Sequence, residues 1–228
     1  MREIAKSKCS VLFLGKSSDK HCQKALEFCQ ENFITVSAYL GKWGDRLPEE
    51  VRRWKGDYIV SYLSRWIVPS SVLESAQVAA INFHPASPEY PGIGCNNFAL
   101  YENARTYGVT CHTMASKVDT GQIIAVTRFP VLPEDDVRSL LLRTYDHQLS
   151  LFQDIVKTIL AGNKLPVSSE KWARKPFTRE EFNELSKITP EMSAEEVARR
   201  IRATSFGVWQ PTVEIAGYSF MYRPKDDR

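Results

Sequence analysis

Asn82, His84 and Asp119 are the residues whose types and spacing could do chemistry together. They lie in one stretch, Ile81–Ile124, which reads INFHPASPEYPGIGCNNFALYENARTYGVTCHTMASKVDTGQII. Asn82 and His84 alternate on a β-rich run, so their side chains project to the same side while Phe83 turns into packing. Pro85 has no N–H to give to a ladder, so the strand ends there. An amide and an imidazole therefore leave one strand end side by side, and Asp119 follows on a loop between two further β-rich runs. The amide can donate to a carbonyl oxygen that becomes an oxyanion. The imidazole can carry a proton between attacking and leaving nitrogens. The carboxylate can favour the imidazolium or order a water. Together these suit acyl transfer in which an amine of the substrate attacks directly, with no Ser or Cys nucleophile. Residue types alone leave a second reading open, a hydrogen-bonded Asn and His that cap a strand.

The flanking sequence predicts the elements that would position the three. Apolar runs at Ser10–Gly15, Phe33–Leu40, Asp57–Leu63 and Val78–His84 read as buried strands. YGVTCHTM and GQIIAVTRFPV read as two more, joined by ASKVDT, which carries Asp119. Between the first two strands, Cys22, Ala25, Leu26 and Cys29 fall at helical spacing, with Ser18 or Asp19 to cap. Pro69–Ala76 fits a short helix. The longest helix runs to Gly162, with Val137, Leu140, Leu141, Tyr145, Leu149, Phe152, Ile155, Val156 and Ile159 as its apolar stripe. Asp135 and Asp136 suit its positive start and Gly162 its end.

The alternation predicts an α/β fold, a Rossmann-like, mostly parallel sheet with helices on both faces. Ligands sit at the carboxyl ends of such strands, where His84 is. Composition shifts at Asn163, which divides the chain into a main domain, 1–162, and a small C-terminal α+β appendage, 163–228. The appendage should hold two short helices, capped by Thr178 and by Ser193 with Glu196, and a β-hairpin turning at Ala216-Gly217. At about 65 residues it is marginal alone and should pack on the main domain.

The 228 residues include 30 basic and 27 acidic ones, a net charge of +3. That balance argues against a nucleic-acid-coating surface. Cys9, Cys22, Cys29, Cys95 and Cys111 are odd in number and form no C-x-x-C pair, so neither a disulfide framework nor a zinc site is expected, and no metal is assigned. No run approaches a membrane span. The apolar run near the N-terminus is too short for a signal peptide, so cytoplasmic location is expected.

Ile81–Ile124 resembles the core signature of the folate-dependent formyltransferases, most like the nucleotide-sugar N-formyltransferases. The shared positions are Asn82, His84, Pro85, Gly92, Gly108, Val109, Thr110, His112, Asp119, Gly121, Ile123 and Ile124. The resemblance implies that residues 1–162 form the catalytic domain and that Asn82, His84 and Asp119 are catalytic. It implies N10-formyltetrahydrofolate as co-substrate. The pterin would sit against Leu63, Ser64, Arg65, Trp66 and Ile67 and against Ala115, Ser116, Lys117 and Val118. His112 is expected to be structural, Cys95 and Cys111 to be small apolar fillers, and His21 and His147 to carry no chemistry.

The family's acceptors include methionyl-tRNA, a glycinamide ribonucleotide and nucleotide-linked amino sugars. RIRATSFGVWQPTVEIAG, Arg200–Gly217, resembles the tail of the sugar enzymes. It implies a nucleotide-linked amino sugar such as a 4-amino-4,6-dideoxy hexose, of the kind used in lipopolysaccharide O-antigens. Arg174, Lys175, Arg202 and Trp209 are candidates for its charged and aromatic parts. The loop PEYPGIGCNN departs from the usual family form, so Tyr90, Gly92, Asn96 and Asn97 are candidates for tuning the acceptor. A tRNA enzyme should carry a β-barrel domain, which this tail does not resemble. A formyltetrahydrofolate hydrolase should carry an N-terminal regulatory domain, and here the first strand begins by residue 10. A non-catalytic sensor would keep the pocket and could lose the trio. The small-molecule reading implies no nucleic-acid or membrane partner, and a homodimer is a role open to the tail.

Overall fold

The computed structural model describes residues 6–223. Six strands form the main sheet in the order β2-β1-β3-β4-β5-β6. They are β1 (Ser7–Lys16), β2 (Phe33–Gly41), β3 (Gly56–Tyr62), β4 (Ala76–His84), β5 (Thr106–Thr113) and β6 (Ile123–Pro130). The first four run parallel, and β5 and β6 are antiparallel additions. The sheet is thus the expected mostly parallel α/β layer, and the carboxyl ends of β1 to β4 share one edge.

α1 (Lys20–Asn32) crosses from β1 to β2, and Asp19 caps it by accepting from the amides of His21 and Cys22. α5 (Val137–Leu160) is the long helix, closed at its start by a reciprocal Asp136–Ser139 capping box. Its inner face differs from a purely apolar stripe. Thr144, Gln148 and Leu151 are buried, while Leu141, Tyr145 and Leu149 are only half-buried. Gln148 earns its place by donating Nε2–H to the Phe83 carbonyl at 2.6 Å. Phe152 of α5 meets Phe83 at 5.1 Å and Tyr62 at 5.4 Å between ring centroids. Phe83 therefore anchors β4 from behind, and the opposite side of β4 carries Asn82 and His84.

Short helices α2 (Glu49–Arg53), α3 (Ser70–Leu73) and α4 (Cys95–Tyr101) complete the main layer. After α5 the chain runs without regular structure to α6 (Arg179–Leu185), which is followed by β7 (Lys187–Ile188), α7 (Ala194–Thr204), β8 (Thr212–Ile215) and β9 (Tyr218–Met221). Thr178 and Ser193 cap α6 and α7. β8 and β9 pair antiparallel across Ala216 and Gly217, both at positive φ, and β7 adds a third strand that the sequence pattern did not announce. α7 packs on α4, where Asn97 Nδ2–H donates to the Ala203 carbonyl and Tyr101 hydroxyl to Glu196.

Candidate active site

Asn82 and His84 leave the end of β4 together, as the alternation requires. The antiparallel register of β4 and β5 sets Asn82 opposite His112, and directly opposed residues share a face. Asn82 Nδ2 and His112 Nε2 lie 3.0 Å apart. Asp119 comes from the β5–β6 loop and is buried between two imidazoles. Its Oδ2 is 3.3 Å from His84 Nδ1 and its Oδ1 is 3.4 Å from His112 Nε2. Gly92 N–H donates to the same Oδ2 at 2.8 Å. The three expected residues converge, and His112 joins them as a fourth.

Two glycines make this approach feasible. Gly92 sits at φ 91, and a Cβ there would lie 2.4 Å from the Phe177 carbonyl oxygen. A Cβ on Gly121 would lie 1.7 Å from the Thr113 carbonyl oxygen, so only glycine lets the loop fold back onto β5. Asp119 itself is left-handed at φ 49, a conformation that Asp tolerates better than most residues.

Hydrogen-bond chemistry assigns the protons. His84 Nε2 lies 2.9 Å from the Tyr90 carbonyl oxygen, which only accepts. Its Nδ1 faces the Asp119 carboxylate at 3.3 Å. His112 Nδ1 lies 2.8 Å from the Thr113 carbonyl oxygen and must donate to it. His112 Nε2 lies between Asn82 Nδ2 at 3.0 Å and Asp119 Oδ1 at 3.4 Å, and the Asn82 amide, with two N–H groups, keeps one for a ligand. Burial pushes the Asp119 carboxyl up, but His84, His112 and the Gly92 amide outweigh it and hold it below the ordinary carboxylate value. Cys95 Sγ is 3.7 Å from His84 Nε2, and burial pushes that thiol well up, so it is present as S–H.

A segment of the tail closes the site. Ser168 N–H donates to the Ile123 carbonyl, Ala173 N–H to Pro88 and Phe177 N–H to Pro91. This strap sets the Trp172 ring edge-on to both imidazoles, 5.8 Å from His84 and 5.0 Å from His112 between centroids. Trp172 Nε1–H is fixed on the Gly121 carbonyl at 2.8 Å. Trp172 stands in the run KWARK, which reads as a solvated basic segment, and nothing in its local pattern points to the site.

Comparison with known proteins now bears on the same residues. The family model described as "Formyl transferase" matches residues 16–156. The chain belongs to the formyl transferase family. The methionyl-tRNA formyltransferase of Listeria monocytogenes serovar 1/2a is 27% identical over 180 residues, which cover 73% of this chain and 57% of that protein. The chain thus spans little more than half the length of that relative. A 4-N formyltransferase from Francisella tularensis is similar in structure, with a TM-score of 0.77 at 14% identity, over 96% of this chain and 98% of the other. The N-formyltransferase from Helicobacter canadensis, solved with folinic acid and dTDP-3-aminofucose, gives a TM-score of 0.71 at 21% identity over 92% and 85%.

On this formyl transferase fold, Leu63–Ile67 leaves the carboxyl end of β3 and Ala115–Val118 leads into Asp119. Leu63 is left-handed at φ 53. Ser64 Oγ accepts from the Trp66 amide, Arg65, Ser116 and Lys117 are exposed, and so are the apolar side chains of Ile67, Ala115 and Val118. Trp66 packs against Gly41 and donates Nε1–H to the Asp45 carbonyl, so its indole serves the fold.

The expected acceptor residues fall in several places. Tyr90 buries its ring against Phe177, gives its hydroxyl to Glu102, and faces the site only through its carbonyl. Gly92 is at the site, holding Asp119. Asn96 and Asn97, expected to tune the acceptor, are buried and donate to the Val137 and Ala203 carbonyls. Arg174 lies over Phe177 and pairs with Glu181, beside the exposed Lys175. Arg202 donates to the Asp135 carbonyl and to Asn103. Trp209 is exposed between α7 and β8. Away from the site, His21 meets Asp146 and His147 stacks on Phe129. Among the described residues no group of three His, Cys, Asp or Glu side chains could hold a metal, and no helix is long and apolar enough to cross a membrane.

Proposed function

We propose that the chain moves a formyl group from N10-formyltetrahydrofolate to the primary amine of a nucleotide-linked amino sugar. The observation that carries this is the convergence of Asn82, His84 and Asp119 at the end of β4. The amine nitrogen bonds to the formyl carbon, and the carbonyl pair moves onto oxygen, where the free Asn82 N–H meets it. His84 gives its proton to N10 as the old C–N bond breaks, and the proton lost by the amine recharges it. Asp119 keeps its charge and holds His84 in the protonated form between turnovers. The pterin lies against Leu63–Ile67 and Ala115–Val118, where exposed apolar groups and backbone polar groups suit a flat heterocycle.

Structures described as sugar N-formyltransferases match in fold over 95% of this chain and 97% of their own, tail included. That favours the sugar. All five cysteines are free thiols, which suits a reducing cytoplasm. The division near residue 163 and a homodimer formed through the tail belong to the same proposal.

The test is to incubate the purified chain with N10-formyltetrahydrofolate and a panel of nucleotide-linked amino sugars, and to follow tetrahydrofolate release. Turnover with an amino sugar alone supports the reading. Release without acceptor makes it a hydrolase, turnover with methionyl-tRNA a tRNA enzyme, and folate binding without any turnover a sensor.

A further inference from the structure

Trp43 stands on a turn built to hold it outward. Lys42 N–H donates to Asp45 Oδ2 at 2.7 Å, Asp45 N–H returns to the Lys42 carbonyl at 3.3 Å, and Gly44 takes φ 85. Trp66 braces the turn through its bond to the Asp45 carbonyl at 3.0 Å. The indole of Trp43 is 68% exposed, yet two guanidiniums lie over it, Arg65 Cζ at 5.1 Å and Arg179 Cζ at 5.8 Å from the ring centroid. They arrive from distant parts of the chain, Arg65 from the loop after β3 and Arg179 from the first residue of α6. Among the described residues neither takes part in an ion pair, whereas Arg174, Arg199 and Arg200 of the same tail all do. Two uncompensated like charges on one ring repel each other, and an anion between them would reverse the sign of that interaction.

The cluster lies on the working edge of the sheet. β2 is the third strand from β4, and at about 4.8 Å per strand the turn after β2 stands about 14 Å along that edge from His84. α6 stands beside both ends of this edge: a Cβ on Gly94 would lie 2.6 Å from its Phe182, and its Arg179 reaches Trp43. Gly94 belongs to the loop that holds Asp119. α6 thus touches both the turn that carries Trp43 and the loop whose Gly92 holds Asp119.

We propose that Trp43, Arg65 and Arg179 form a subsite for a multiply charged anion on this edge of the sheet, beside the trio. Two guanidinium forks match the paired oxygens of phosphates or carboxylates, and the indole they lie over holds them in place. On the proposed reaction, two sources carry that chemistry, the diphosphate of the acceptor and the glutamyl carboxylates of the folate. The choice of these ligands rests on that reading; the subsite itself rests on the three side chains.

Calorimetric titration of the full chain tests it, with UDP and dTDP in one arm and folinic acid carrying one or several glutamates in the other. Arg65→Ala and Arg179→Ala should each weaken one arm by about tenfold, with the double variant losing most of its salt dependence. Trp43→Leu should weaken the same arm. The arm affected names the source. Arg65→Gln and Arg179→Gln repeat the measurement if an alanine variant melts early. The proposal is overturned if neither arm binds wild type, or if both bind the double variant as tightly as wild type. His84→Ala separates the two levels. It should bind in both arms as wild type does, and transfer surviving in it would sink the reaction while leaving the anion subsite standing.

Discussion

His84 Nδ1 faces Asp119 Oδ2 across 3.3 Å, although His84 ends β4 and Asp119 sits on the β5–β6 loop, held there in a left-handed conformation. The contact depends on charge. Asp119 has its pKa lowered in the fold, so its ionised form contributes stability at pH above the ordinary carboxylate value of 3.8. That contribution is lost as pH falls through the lower folded value. Asp119→Asn should remove this part of the acid dependence of unfolding and cut turnover by about 10²–10⁴-fold. Thermal melts carried from pH 7 down to about pH 2 check the first, and an unchanged acid limb would refute the ion pair.

The division of labour between Asn82 and His84 separates in kinetics. His84→Ala should lower turnover by about 10²–10⁴-fold with the fold intact. Asn82→Ala should lower kcat by about 10²–10³-fold and leave KM for the amine nearly unchanged, as expected when one oxyanion donor is lost. A loss confined to KM would move Asn82 from oxyanion donor to ordinary binding group. Initial rates over a range of acceptor concentrations decide it.

Gly121 gives a structural test of the same loop. A Cβ there meets the Thr113 carbonyl at 1.7 Å, and backbone cannot swing aside as a side chain can. Gly121→Ala should cost about 1–3 kcal/mol of stability and displace Asp119, so activity should fall by more than the melt alone explains. An unchanged melting temperature would show that the loop relaxes freely.

What the sequence made legible follows from periodicity and position. The six strands, α1, α5 and the trio were readable because alternation, caps and a proline fix where β4 ends and which way Asn82 and His84 face. The antiparallel turn of β5 and β6 was not, since an apolar run looks the same in either direction, and with it the Asn82–His112 contact was hidden. Gln148 was hidden because its partner is a carbonyl on β4, distant in sequence. Asn96, Asn97 and Arg202 looked free for a ligand, and tertiary contacts with α5, α7 and the segment before α5 occupy them instead.

Trp172 supplies a test of the strap. Its indole touches both imidazoles and is bonded to the loop that carries Asp119, which makes it a positioning residue. Trp172→Ala should lower turnover by up to about 10²-fold and alter the pH dependence of the rate, because the imidazole pair loses its cover. Trp172→Phe keeps a ring without the bond to Gly121 and should recover part of the rate. A purely structural role would lower the melting temperature of both variants and leave the pH profile of the remaining activity unmoved.

The β8–β9 hairpin carries the prediction about assembly. The register pairs Ile215 with Tyr218 and Val213 with Phe220, so these side chains share one face of the hairpin. Tyr218 is 72% exposed and Trp209, just before β8, is 70% exposed. With Phe206, Val208, Ile215, Phe220 and Met221, the segment leaves on the order of 800 Å² of large apolar side chains in water, about what each partner buries in a standard interface. Among the described residues β9 is also an unpaired edge, which can add a strand from an identical copy. A second copy of this chain fits both features at once, because a two-fold axis brings the same face and the same edge together. Light scattering after size exclusion should give about 52 kDa, twice the 26.0 kDa of one chain. Tyr218→Lys with Phe220→Lys should return it to one chain while the trio stays intact, and a wild-type protein that runs as a single chain at micromolar concentration would refute the pairing.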